Sequence, residues 1–426
     1  MKKRSTMIAL LLAACTVMTS GMSTTVFAEE EHDPITVTWI NSYNEDGISK
    51  WSEWVKEQVE SEYPYITVDL QTYASDSVDQ IVKTKIASDD APGIFGGFNV
   101  QEYVDAGYVY DLSNEEWISN IQEDVLSAGK FGDIQAEVPM DTNYYGLFYN
   151  KDIFTDLGLE VPTTLTELYA VCDTLKENGI APFACGFGDI WTLQEQMSPI
   201  YMTLCMGGYG GFEADKTWYA DKESLTDNFA DDAAYARSFE ILYSLKDYFS
   251  EDPMATDWAT ALNMVATGKA AMIANGSWTM DGVTGINPDV TMSAFPMPVS
   301  DDPADDVLIA QPGSGPLCYN SDDPEMLDAC LKVFDVMYSV ESGQKYAELG
   351  NKISTFKDVD MSFNTSCDDL MNYVNNGQSW SNGDITQFQG GGYGIIQARL
   401  QEYLMKDECD TEGFLQALDD DFKAAY

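Results

Sequence analysis

Histidine is almost missing from this chain: one residue, His32, stands among 426. A histidine general base, a Ser-His-Asp or Cys-His triad and a His-ligated zinc all need that side chain. Those chemistries are excluded unless His32 serves, and it falls near the expected mature N-terminus, where tails are poorly tied down. Basic residues are scarce as well. Lys and Arg total 22 against 71 Asp and Glu, a formal charge of −49. No basic stripe for a phosphate backbone and no polybasic membrane patch can be assembled from that balance, so nucleic acid is excluded as a partner. No Cys-x-x-C occurs among the eight cysteines, which removes zinc-ribbon and thioredoxin-like sites. Cys172, Cys185, Cys205, Cys318, Cys330, Cys367 and Cys409 are widely spaced and do not read as a disulfide framework. Cys172 and Cys330 fall on apolar positions of expected helices, where a thiol is a small hydrophobe.

Hydrophobic residues at 45% and aromatics at 12% are ample for packed cores, so this is no disordered acidic chain. The length allows two or three domains. Lys2, Lys3 and Arg4 followed by the apolar run Met7 to Val17 read as an export signal, since the run is well short of the ~20 residues of a membrane span. Val26-Phe27-Ala28 offers a cleavage site, giving a signal peptide over residues 1–28. Leu12-Ala13-Ala14-Cys15 offers the competing reading of a lipoprotein box with Cys15 lipidated. Either way the mature protein is expected outside the membrane, on the cell's outer face or in a periplasm.

Strand and helix periods then alternate. Ile35, Val37 and Trp39 alternate with polar residues as a strand, and Trp51, Trp54, Val55 and Val59 recur as a helix stripe that Tyr63-Pro64 stops. Ile66, Val68 and Leu70 form a second strand, Val78 to Ile86 a helix, and Ile94-Phe95 a third strand. Beyond Pro139 a strand near Tyr145 to Tyr149 leads to a helix opened by Thr164 and Glu167 as a capping box and closed by Gly179. Asp323-Pro324 opens a later helix. This alternation predicts α/β architecture with mainly parallel sheets covered on both faces.

Four blocks resemble the family 1 extracellular solute-binding proteins, carbohydrate-type receptors of ATP-binding cassette importers related to maltose-binding protein. They are Ile81 to Gly107 (IVKTKIASDDAPGIFGGFNVQEYVDAG), Tyr145 to Glu167 (YGLFYNKDIFTDLGLEVPTTLTE), Gly268 to Trp278 (GKAAMIANGSW), and Ala294 to Pro298 with the helix from Pro324 through Gln344. The resemblance implies a two-lobe, type II periplasmic-binding-protein-like clamp with interleaved lobes and a cleft between them. One lobe would take residues 33–141 plus about 315–360, the other about 142–314 plus 361–426. It implies a monomeric receptor without cofactor, metal or catalytic residues. Its partners would be a neutral carbohydrate and the permease subunits of an importer with a separate ATPase.

Sugars ask for aromatic planes under their C–H faces and for rigid carboxylates or amides at their hydroxyls. The strand-end loops supply candidates. Tyr43 and Asn44 follow the first strand and match sugar-contacting positions of the family; Phe98 and Asn99 follow the third strand. Asn143 and Tyr144 precede the YNKD block, and Asp189 and Trp191 fall where relatives place an acid and an aromatic. Trp278 opens a helix after the third block, and Trp380 reads as an aromatic in a polar loop. Three further runs carry no site on sequence grounds. Gly390 to Gly394 lacks the Lys-Ser/Thr of a phosphate loop. Asp301 to Asp306 lacks calcium-loop spacing and, like Asp419 to Asp421, reads as solvated charge. The alternative from another class is a secreted glycoside hydrolase with two carboxylates flanking a glycosidic bond.

Overall fold

In the computed structural model the described residues are 32–42, 46–97, 100–362, 366–383, 385, 388 and 391–426. The first sheet has four strands in the order Ile66–Thr72, Ile35–Asn41, Ile94–Phe95, Leu317–Cys318. The first three are mutually parallel and the last is antiparallel to Ile94–Phe95. Alternation sorts their side chains: Val37, Trp39, Ile94 and Cys318 enter one apolar cluster and Ile40, Phe95 and Leu317 another. The helix Asp46–Glu62 covers the first face with Trp51, Val55 and Val59 fully buried. Trp51 meets Trp39 and Tyr346 edge to face at 5.8 and 5.0 Å and donates its indole N–H to Ser342 Oγ at 3.0 Å. A buried indole N–H without such an acceptor would be costly.

The second sheet has six strands around Thr142–Asn150. That strand is buried along most of its length, as a continuous aromatic and aliphatic run should be when both faces are covered. It runs antiparallel to Ala270–Gly276 on one side and to Leu308–Pro312 and Met292–Phe295 on the other. Ala181–Phe183 lies parallel to Ala270–Gly276, and Ser379–Ser381 parallel to Leu308–Pro312. The expectation of a mainly parallel sheet therefore holds for the first sheet and fails for the second. The cause is topological: the chain enters the second sheet from the side of the first, so its entry strand opposes its neighbours.

Three chain segments join the two sheets. Thr142 donates to Ile353 O at 2.9 Å, Thr355 to Met140 O at 3.2 Å and Gly313 to Asp141 O at 2.8 Å. The segments around 137–142, 312–316 and 353–355 thus run side by side. Glu137 is buried among them with its Oε2 accepting from Gly315 N at 3.1 Å, and Asp141 accepts from Tyr346 OH at 3.2 Å. Packing at this point is backbone against backbone: a Cβ on Gly315 would stand 2.2 Å from Val138 O.

Local signals are realised closely. Thr164 Oγ1 accepts from Glu167 N at 3.2 Å, and Glu167 Oε2 accepts from Thr163 N at 2.8 Å, one residue before the position of a standard capping box. Gly179 has φ of 76° just past the helix end. Asp323 Oδ1 accepts from Glu325 N at the start of Pro324–Met337. His32 stacks on Tyr65 with ring centroids 4.2 Å apart.

Three sequence expectations need correction. Asp306, at the end of a run read as solvated, is 3% exposed with neither carboxyl oxygen hydrogen-bonded among the described residues. Asp419, in the second such run, is buried and accepts from Phe229 N at 2.7 Å and Ala230 N at 3.2 Å, while Asp421 takes both Arg399 Nε and Nη2 at 2.6 and 2.8 Å. These carboxylates look solvated in sequence because their amide and guanidinium partners are 22 to 190 residues away. Trp380 lies in the strand Ser379–Ser381, opposite Ile309, and packs half-buried on the large core cluster around the second sheet. Asp419→Ala is expected to cost about 2–3 kcal/mol, since it orphans two amides. Asn at the same position should recover about half; urea melts of the three proteins check this.

Candidate ligand-binding cleft

Strand direction collects the loops. Because Thr142–Asn150 opposes Ala270–Gly276 and Leu308–Pro312, its first residues share a sheet edge with the carboxyl ends of those strands. The carboxyl ends of Ala181–Phe183 and Ser379–Ser381 fall on the same edge through their parallel pairings. Asn143, Trp278, the Asp189 turn, Gln311 and Asn382 therefore gather along one side of the second sheet. That edge is where the three connecting segments arrive. Open α/β sheets bind ligands beyond the carboxyl ends of their strands.

Trp278 opens the helix Trp278–Ile286, and its indole folds back over Gly276, where a Cβ would lie 2.2 Å from the ring. Glycine at 276 is thus what lets the ring lie there. Half-buried, it meets Tyr145 edge to face at 5.6 Å. Ser277 Oγ accepts from Tyr144 N at 3.3 Å and donates to Asn143 Oδ1 at 3.4 Å, which fixes the Asn143 amide beside the helix start. A shallow crevice joins Asn143 and Trp278 to Asn351, Lys352 and Ile353 of the third connecting segment.

Asp189 is half-buried and its Oδ2 accepts from Trp258 N at 2.8 Å, so part of the carboxylate holds the adjoining helix start. Trp191 begins the helix Trp191–Tyr201, is 37% exposed and meets Trp258 edge to face at 5.3 Å. Its exposed ring offers a face for stacking. One helical turn on, Glu195 lies on the same helix face. The residue is half-buried, but its Oε2 is fully buried with no hydrogen-bond partner among the described residues. Burial raises the Glu195 pKa to about 7, against the pull of the Ser198 and Tyr145 hydroxyls. Asn382 Nδ2 donates to Gln311 Oε1 at 3.2 Å while Asn382 Oδ1 is buried with no partner among the described residues, and Gln397 Nε2 donates to Gln194 Oε1 at 2.7 Å.

The sequence candidates divide accordingly. Trp278 and Asn143 come together, and Asp189 and Trp191 share one turn on the same edge. Tyr144 is 5% exposed, packed in the cluster of Phe148, Ile273 and Met280. Neighbouring strand residues face opposite ways, so Tyr145 rather than Tyr144 shares a face with Asn143. Trp380 is near the edge but leans on the core. Tyr43, Asn44, Phe98, Asn99 and Cys15 lie outside the described residues. Sequence reading missed Tyr145 and Glu195. The period-two rule applied from Asn143, and the i+4 rule applied from Trp191, would have found both.

This two-lobe architecture with a loop-lined sheet edge is that of a solute-capturing clamp. The chain belongs to the bacterial extracellular solute-binding proteins, whose family profile matches residues 41–326. It is similar to the multiple sugar-binding protein of Streptococcus mutans, 24% identical over 304 residues, covering 68% of this chain and 66% of that protein. It is also similar to the melibiose/raffinose/stachyose-binding protein MelE of Bacillus subtilis, 22% identical over 257 residues, 57% of each chain. The chain spans about half to two thirds of the length of the sequence relatives it matches. The solved structure of the solute-binding protein RafE in complex with raffinose shares the fold, with a TM-score of 0.74 at 18% identity over 92% of this chain and 99% of that one. A chitin oligosaccharide binding protein superposes with a TM-score of 0.73 at 20% identity, covering 91% of this chain and 98% of that one.

Proposed function

We propose that this protein captures a neutral mono- or oligosaccharide in the cleft by lobe closure and delivers it to the permease subunits of an ATP-binding cassette importer driven by a separate ATPase. It acts as a monomeric receptor with no reaction of its own. The observation that carries the reading is the line of Trp191, Glu195, Tyr145 and Trp278 along one sheet edge, with the Asn143 amide beside it. Aromatic faces suit sugar C–H surfaces, while the carboxyl and amide groups suit hydroxyls. Asp189 supplies its remaining acceptor capacity. Tyr43, Asn44, Phe98 and Asn99, which follow two of the first sheet's parallel strands in sequence, are assigned to ligand binding as well, with Trp380 at the margin of the site. The acidic surface disfavours anionic ligands, so neutral sugars are preferred to uronates. Micromolar affinity corresponds to about −8 kcal/mol, within reach of two stacked aromatics and several buried hydrogen bonds.

We assign residues 33–141 and about 315–360 to one lobe and about 142–314 with 361–426 to the other. Supporting this, one core cluster draws on residues from Val37 to Met140 and from Cys318 to Phe356, while the largest one draws on Tyr145 to Phe422. Export proceeds by cleavage after Ala28 or, alternatively, by lipidation of Cys15; mass spectrometry of the exported protein distinguishes them. Incubation with oligosaccharides tests receptor against hydrolase. Intact sugar recovered from the complex supports the reading, and shorter products contradict it.

A pH dependence follows from the buried carboxyls. Burial raises Glu137 to about 8 and Glu195 and Asp306 to about 7. A carboxyl whose folded pKa exceeds its unfolded value near 4.5 favours the fold fully below that value, and the contribution is lost as pH rises to the folded pKa. The melting midpoint should therefore fall between pH 5 and pH 8, and Glu137→Gln should flatten that fall. Midpoints measured at both pH values check it; a rise with pH would contradict it.

A further inference from the structure

Cys318 ends the strand Leu317–Cys318 and pairs with Ile94 in the first sheet. Cys330 lies in the middle of the helix Pro324–Met337, which covers the same sheet face. Both side chains are fully buried, and the structure holds both as free thiols. Gly93 makes the space that lets them approach. A Cβ at this position would stand 2.6 Å from Cys330 Sγ and 3.2 Å from Val37 Cγ1. The Cys330 sulfur thus occupies the volume a side chain at 93 would take, one residue from Ile94, the cross-strand neighbour of Cys318. Both thiols thus line the same apolar cluster beside Gly93, and Cys318 Sγ points to Tyr319 O at 3.8 Å. Other cysteines contact different groups: Cys185 Sγ meets Gln196 Oε1 and Cys409 Sγ meets Thr411 Oγ1, each at 3.5 Å.

A disulfide needs its two Cβ atoms close and facing, a condition that widely spaced cysteines rarely meet by chance. Here strand pairing, helix docking and a glycine bring the two side chains into one apolar cluster of an exported protein, the setting in which disulfides persist. We propose that Cys318 and Cys330 are an oxidisable pair that closes to a disulfide during folding outside the cytoplasm. The bond staples the strand that leaves the second connecting segment to the helix covering it. The oxidant is a disulfide, either of a thiol–disulfide oxidoreductase or of glutathione. One Cys thiolate attacks it, releasing a reduced thiol and leaving a mixed disulfide. The second Cys thiolate then attacks that bond at the protein sulfur and expels the second reduced thiol. Two electrons pass to the oxidant, and the two cysteine protons end on its thiols. The neighbouring thiol and burial hold Cys318 well above the usual thiol range, so once the core has packed neither thiolate forms readily. Closure therefore belongs to folding, before the helix docks fully.

The test is to refold the full chain in a glutathione redox buffer, quench with acid, denature, alkylate and map the peptides. The expected result is a Cys318–Cys330 cross-linked peptide lighter by two hydrogen masses and released by reductant. The oxidised protein should also melt about 5 °C or more above the reduced one. Cys330→Ala should abolish both the cross-link and the dependence of melting on reductant. Full alkylation of Cys318 and Cys330 without reductant would overturn the proposal, as would a dominant cross-link to another cysteine. Peptide mapping of the wild-type chain decides the matter even if the variant fails to fold.

Discussion

Trp278→Ala is expected to weaken sugar binding by about 30- to 100-fold, roughly 2–3 kcal/mol, while the melting midpoint of the unliganded protein should move by only a few degrees. The indole is half-buried and lies over Gly276 beside Asn143. Truncation removes a large rigid surface from the place where a sugar ring would stack, and it also frees Tyr145, which the indole now holds edge to face. Isothermal titration of both proteins with the same oligosaccharide gives the ratio. Trp278→Phe should retain much of the affinity, since a smaller aromatic plane remains. If Ala costs less than threefold, the ring is core packing and the site lies elsewhere.

Gly315→Ala lowers stability by about 3 kcal/mol or more, because the new methyl meets backbone, which cannot yield without shifting the segment. A Cβ at 315 would lie 2.2 Å from Val138 O and 2.8 Å from Val138 N. The obstruction at Gly313 differs: its nearest atom is the Asp141 side-chain oxygen at 2.0 Å. A carboxylate can turn aside at the cost of its Tyr346 hydrogen bond, so Gly313→Ala should cost about half as much. Thermal melts rank the two variants. Equal midpoints would mean that the connecting segments are loosely packed, against the account of a tightly laid junction between lobes.

Much of the fold could be read from local pattern. The period-two run Ile35, Val37, Trp39, the helical stripe of Trp51, Val55 and Val59, and the Thr164 cap all rest on neighbours within a few residues, and each forms as expected. What escaped reading depends on distant partners. Asp419 and Asp306 look like surface acids because nothing near them in sequence says that they are buried. The antiparallel entry strand depends on where the chain has come from, which periodicity does not encode. In the cleft, Trp278 and Asn143 were accessible from the family-like blocks. Tyr145 and Glu195 needed faces to be assigned first, since Tyr145 adjoins a better-looking candidate and Glu195 is one acid among 71 acidic residues.

Glu195 adds a further property to the proposed site. Its carboxyl titrates at about 7, so its hydrogen-bonding character changes across neutral pH. When neutral it can donate as well as accept; when charged it only accepts. Glu195→Gln is expected to remove the pH dependence of affinity between pH 6 and 8 while leaving the unliganded fold intact.

The most direct test of the central claim is a melting-shift panel of residues 29–426 against neutral mono- and oligosaccharides, uronates, amino acids and peptides. A ligand at 100 times its dissociation constant stabilises the protein by about 2.7 kcal/mol, enough to raise the midpoint by several degrees. The account predicts such a rise for one class of neutral sugar, lost in Trp278→Ala. A rise with amino acids or peptides and with no sugar would keep the fold and contradict the carbohydrate assignment.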